Sequence, residues 1–170
     1  CSFSYYLRTL NATRHKRNDM IDAKELRIGN IIRLNNPEHQ KEFHGRLCIV
    51  QGVQSNHVNG EMVFLKVAGK LPLHEQCVSE LTQIITFIDP VLLTPELLEK
   101  CANNKVGKDG YRIAVSLDRM QSLFITPSAN GWVVELFSFG TSKPLHRLHY
   151  LHQLQNLIYI LSGNELNVEI

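Results

Sequence analysis

Arg46-Leu47-Cys48-Ile49-Val50-Gln51-Gly52-Val53-Gln54, followed by Asn59-Gly60 and Glu61-Met62-Val63-Phe64-Leu65-Lys66-Val67, is the stretch that decides the fold. The first limb is apolar and β-branched enough for a strand, with Gly52 as a bulge or bend within it. Asn59-Gly60 is the strongest hairpin signal in the chain, because both residues tolerate positive φ, and it leads into a second strand over 61–67. Upstream, residues 21–30 read as one short turn, and Gly29-Asn30 permits a sharp change of direction into a strand at 31–34. Residues 35–45 are a polar loop, 71–81 a loop with a single helical turn, and 82–88 an apolar strand closed by Asp89-Pro90. Short strands joined by tight turns over this span predict a small curled barrel of the SH3-like kind from about Met20 to Ile88.

The second half reads differently. Thr94-Pro95-Glu96 supplies an N-cap, an N1 proline and a first-turn acid in order, so a helix is expected from Pro95 to about Ala102. Residues 103–110 break it. Strands follow at 111–117, 123–126 and 132–139, turned by Asp118-Arg119 and Asn130-Gly131, which makes a three-stranded antiparallel meander. A terminal helix is expected to begin after Ser142 or Lys143-Pro144 and to stop at Ser162-Gly163, where glycine suits a left-handed C′ position. The fold class is therefore α+β: an SH3-like barrel over 20–88, then a helix, meander and helix unit over 89–170.

Of the 170 residues, 44% are hydrophobic and 20% charged, and the net charge is +2. That composition fits one large or two small globular domains with a real core. Residues 1–19 carry Arg8, Arg14, Lys16 and Arg17 against Asp19, a net of +3, which leaves the other 151 residues at −1. The body thus offers no bulk positive field to polyanions. Residues 1–19 lack apolar periodicity and the first methionine is Met20, so a flexible basic segment ahead of the folded protein is expected. No run reaches the roughly 18–20 apolar residues of a membrane span. The opening residues lack the apolar core of a secretory signal, so the cytoplasm is the expected location.

Leu26-Arg27-Ile28-Gly29-Asn30, Leu93-Thr94-Pro95-Glu96-Leu97-Leu98-Glu99-Lys100-Cys101, His152-Gln153-Leu154-Gln155-Asn156-Leu157 and Leu161-Ser162-Gly163-Asn164-Glu165-Leu166 together carry a resemblance. In this order of segments the chain resembles a family of small proteins from gut Bacteroidetes-type bacteria, their prophages and mobile elements. It departs from the family pattern by residues 1–19 and by a polar insert over 37–43. The resemblance implies a phage or mobile-element context and no chemistry.

The terminal helix is where arithmetic selects a surface. At about 100° per residue, Leu151, Leu154, Leu157, Ile158 and Leu161 share one broad stripe with Tyr150, while His149, His152, Gln153 and Asn156 fall together on the opposite side. Such a face is either merely solvated or contacts a partner. Its amides and imidazoles, in place of the Lys and Glu of an ordinary solvated helix, favour a partner-binding role for His149, His152, Gln153 and Asn156. His149 and His152 are spaced to share a metal, but no third ligand is identifiable, so no metal or cofactor is implied.

Other constellations weigh against catalysis. His39, His44, His57 and His74-Glu75 show no fixed spacing and read as surface residues. Cys1, Cys48, Cys77 and Cys101 form no C-x-x-C pair and read as reduced thiols, with Cys101 buried rather than nucleophilic. The common nucleotide, hydrolase and metalloprotease signatures are absent. The sequence therefore points to a non-catalytic protein-interaction module, with a nucleic-acid-binding accessory protein as the rival and an enzyme of unfamiliar type behind it. For the rival, the basic tail would supply charge and Phe43, Phe64 and Phe87 are the only aromatics of the barrel for stacking.

Overall fold

The computed structural model describes residues 21–37, 41–56, 60–68, 80–102, 104–107, 110–115 and 121–168. The expected flexible segment over 1–19, the helical turn within 71–79, the Asp118-Arg119 turn, and His39, His57 and His74 lie outside these residues.

Among the described residues the protein is a mixed α+β chain of two α-helices and two five-stranded antiparallel sheets. Strands β1 (Ile31–Leu34), β2 (Leu47–Asn56), β3 (Gly60–Val67), β4 (Glu80–Ile84) and β5 (Ile88–Pro90) form the first sheet in the order β4-β3-β2-β1-β5. The β2–β3 hairpin pairs Asn56 with Gly60, whose φ is 78°, and its register shifts between Val50 and Gly52. The bulge belongs at Gly52 because a Cβ there would stand 3.3 Å from the Phe64 ring.

Among the described residues the first sheet, expected to curl into a small barrel, is not closed into one. Strands β4 and β5 are opposite edges of an open sheet, with no ladder between them. The apolar run read as one strand over 82–88 is interrupted by a 3-10 turn at Ile85–Phe87. That turn carries the chain across from β4 beside β3 to β5 beside β1. Ile32, Leu34, Cys48, Val50, Val63, Leu65, Leu81 and Ile88 form the core beneath this sheet.

Helix α1 (Pro95–Cys101) begins as its sequence dictates, with the Thr94 hydroxyl accepting from the Leu97 N–H. Strands β6 (Asn104–Val106), β7 (Gly110–Ala114), β8 (Gln121–Ser128), β9 (Gly131–Ser138) and β10 (Thr141–Leu148) then run as a five-stranded meander, two strands more than expected. The terminal helix, α2, spans Leu151–Ser162 and starts later than its sequence suggests. Residues 141–148 belong to a strand because the Phe139-Gly140 turn sends the chain straight back along β9. Pro144 does not start a helix there; on an edge strand its missing N–H costs no ladder bond on the open side. Gly163 ends α2 at φ 70°, the left-handed cap expected of it.

Both helices pack on one face of the meander, where Leu98, Leu123, Ile125, Val134, Leu151, Leu154 and Ile158 form the second core. Ile31 of β1 joins this core, and Leu47 and Ile49 pack against it. Alternation along β1 thus sends Ile32 and Leu34 to one core and Ile31 to the other. No helix among the described residues is long and apolar enough to cross a membrane.

Candidate functional site

Helix α2 is buried on two sides, and the second is polar. Gln155, at about 100° per residue, falls between the Leu154 stripe and His152. Its Oε1 accepts from the Ile31 N–H at 2.9 Å and its Nε2 donates to the Gly29 carbonyl at 3.1 Å. One side chain therefore fixes the backbone just where β1 begins. Asn156 Nδ2 donates to the Glu25 carbonyl at 2.7 Å, and Asn156 Oδ1 accepts from Asn30 Nδ2 at 2.9 Å. Asn30 is fully buried, and its Oδ1 accepts from the Arg27 N–H at 2.7 Å.

Beyond the helix the same turn is held by charge. The Arg27 guanidinium makes a two-pronged bond to Glu165 at 2.5 and 2.7 Å, and its carbon lies 3.8 Å from the centre of the Tyr159 ring. The guanidinium holds the Glu165 carboxyl below the usual carboxylate range. Gly29 adopts φ 92°, and a Cβ on it would meet Glu165 Oε2 at 3.1 Å. Only glycine satisfies both the left-handed backbone and the close carboxylate.

The four residues expected to form a partner face separate. His149 is exposed. Gln153 is half-buried, and its Oε1 accepts from the His149 and Tyr150 N–H groups at 2.9 and 3.3 Å, capping the helix from within. His152 is only 1% exposed, stacked on Tyr150 with ring centres 5.8 Å apart. Its Nε2 lies 3.4 Å from Glu25 Oε2, and its buried Nδ1 has no hydrogen-bond partner among the described residues. Burial pushes the proton affinity of His152 down, and the contact with Glu25 only partly opposes this. His152 is thus buried rather than open to solvent, while half-buried Asn156 bonds to Glu25 and Asn30. The chain's own residues 25–31 cover that side, because amides can satisfy the backbone of a turn that apolar side chains would leave unpaired.

His152, Gln153 and Asn156 nevertheless share the wall of a cleft. It has a volume of about 250 Å³ and lies between α2 and β10, lined by Glu25, His146, Leu148, His152, Gln153, Asn156, Leu157 and Ile160. Ile160, on its rim, is 78% exposed, and Leu145 of β10 is exposed nearby in sequence to His146. Ligand pockets generally measure roughly 300–1,000 Å³, so this cleft suits one or two side chains better than a cofactor.

Sequence reasoning missed Glu25, Arg27, Asn30, Gln155 and Glu165. The segments 26–30, 152–157 and 161–166 contain most of these residues and are the ones that meet. Elsewhere, Cys48 and Cys101 are buried free thiols, and burial raises each to about 11, far from a nucleophile's range. Phe43 is buried and cannot stack a base, while Phe64 is exposed on β3. Among the described residues no group of three His, Cys, Asp or Glu side chains converges to hold a metal. No protein-family model and no curated protein matches the chain.

Proposed function

We propose that this chain is a non-catalytic interaction module of a phage or mobile element, acting in the cytoplasm, that binds another protein through the cleft between α2 and β10. The observation that carries the reading is the cleft itself. It is small and is rimmed by Ile160, a large apolar side chain left in water on an otherwise ordered helix. Large exposed apolar groups beside a concavity mark protein contacts more often than chemistry. We read the first sheet as an open SH3-like unit, because a 3-10 turn carries the chain from β4 at one edge to β5 at the other. Its role here is to present residues 25–31 as the floor that orders α2.

The test is affinity capture with the full chain from a native host, followed by reconstitution with the purified captured protein. A stoichiometric complex that Ile160→Asp weakens at least about tenfold, roughly 1.4 kcal/mol, supports the reading. Recovery of nucleic acid alone, or a complex indifferent to Ile160→Asp, overturns it.

A further inference from the structure

The cleft has an open strand for one wall. Every residue of β10 from Thr141 to Arg147 is exposed, and β10 pairs only with β9, so one side of its backbone ladder is unpaired among the described residues. The opposite wall is the flank of α2, with Gln153 and Leu157 half-buried and Ile160 exposed. An edge strand beside a helix, with an apolar cleft between them, is the geometry that accepts an extended peptide. The peptide backbone continues the sheet, and alternate side chains drop into the cleft.

Charge selects the occupant. Residues 141–148 carry Lys143, His146 and Arg147 and no acid. Neither Lys143 nor Arg147 makes an ion pair with a described residue. Among the described residues the one carboxylate lining the cleft, Glu25, lies on the far wall and faces His152. A second copy of β10 is a poor partner, because two basic edges repel. We infer that the cleft takes an extended acidic segment of a partner protein, added as a strand along β10, with one apolar side chain seated against Leu157 and Ile160.

This inference rests on the proposed function and specifies its mode. A library of randomised displayed dodecapeptides is selected against the full chain, and the enriched peptides are synthesised. The expected peptides carry Asp or Glu around a single Leu, Ile or Phe. Their affinity should fall at least about tenfold with Ile160→Asp and, separately, with the charge reversals Lys143→Glu and Arg147→Glu together. N-methylation of alternate peptide residues should abolish binding in one phase and spare it in the other, because only one set of amides faces β10. These amides are in the peptide, so that arm does not depend on how any variant folds. Peptides that need Ile160 but tolerate methylation in both phases would overturn strand addition and leave the protein-binding cleft standing. Enrichment of basic or purely apolar peptides would overturn the charge argument. Failure to enrich any peptide sensitive to Ile160→Asp, or displacement of peptides by oligothymidylate in preference to acidic competitors, would sink both readings.

Discussion

Gln155 shows how much of this structure hangs on single polar groups. It is buried with both ends of its amide engaged, and apolar truncation would strand the Ile31 N–H and the Gly29 carbonyl away from water. Gln155→Ala should therefore cost about 2–4 kcal/mol in chemical denaturation, the combined penalty of two orphaned backbone groups. Gln155→Glu should fail to restore it, because a carboxylate keeps the acceptor for Ile31 but faces Gly29 with a second acceptor. A near-neutral Gln155→Ala would show that water replaces the amide. His152 gives the second residue-scale expectation. Burial holds its native pKa below the ordinary 6.5, so between those two values the unfolded chain binds more protons than the folded one. Stability contributed by this site is complete above about pH 6.5 and is lost as pH falls toward the native value. His152→Gln removes the titrating group and should flatten the fall in urea midpoint between about pH 7.5 and about pH 5.5. An unchanged slope in the variant would assign the pH dependence to other groups.

At the scale of elements, what sequence could reveal follows from what each element buries. Strand β1 was legible at its ends because Gly29 and the polar loop after Leu34 bracket a short apolar run, and α1 because Thr94-Pro95-Glu96 is self-sufficient local chemistry. Strand β10 was not. Residues 141–147 are all exposed, so no apolar alternation is written into them, and their pairing is imposed by β9 through a turn that carries Phe where glycine or asparagine is usual. The polar side of α2 was visible as a pattern but not as a contact, since periodicity assigns residues to a face without saying what covers it. Phe139 makes the turn testable. It holds φ 49° while 77% exposed, a left-handed conformation that L side chains adopt at a cost. Phe139→Asn recreates an Asn-Gly turn and should raise stability by about 0.5–1 kcal/mol, read as a higher urea midpoint at unchanged slope. Destabilisation would mean that the Phe139 ring makes contacts worth more than the backbone strain it imposes.

For the whole molecule, the two sheets share side chains rather than merely touching. Ile31 sits on β1 of the first sheet but packs in the core of the second, and Gln155 and Asn156 of α2 hold the backbone of residues 25–31. Removing either half would expose Ile31, Leu47 and Ile49 on one side and Leu151, Leu154 and Ile158 on the other. The chain should therefore unfold in one cooperative step. Trp132, the single tryptophan, belongs to β9, and its Nε1 donates to the Leu93 carbonyl at 2.8 Å, so its fluorescence reports on the second half alone. Far-ultraviolet circular dichroism reports on both sheets. In urea the two signals should share one midpoint. Leu34→Ala is the decisive variant, because Leu34 is fully buried in the core of the first sheet alone and its truncation is expected to cost about 2–5 kcal/mol through lost burial and the cavity left behind. If the halves are coupled, the Trp132 midpoint falls by the same amount as the dichroism midpoint. If Trp132 keeps its wild-type midpoint while the dichroism signal splits into two transitions, the halves fold independently, and the bonds from α2 to residues 25–31 orient the sheets without stabilising them jointly.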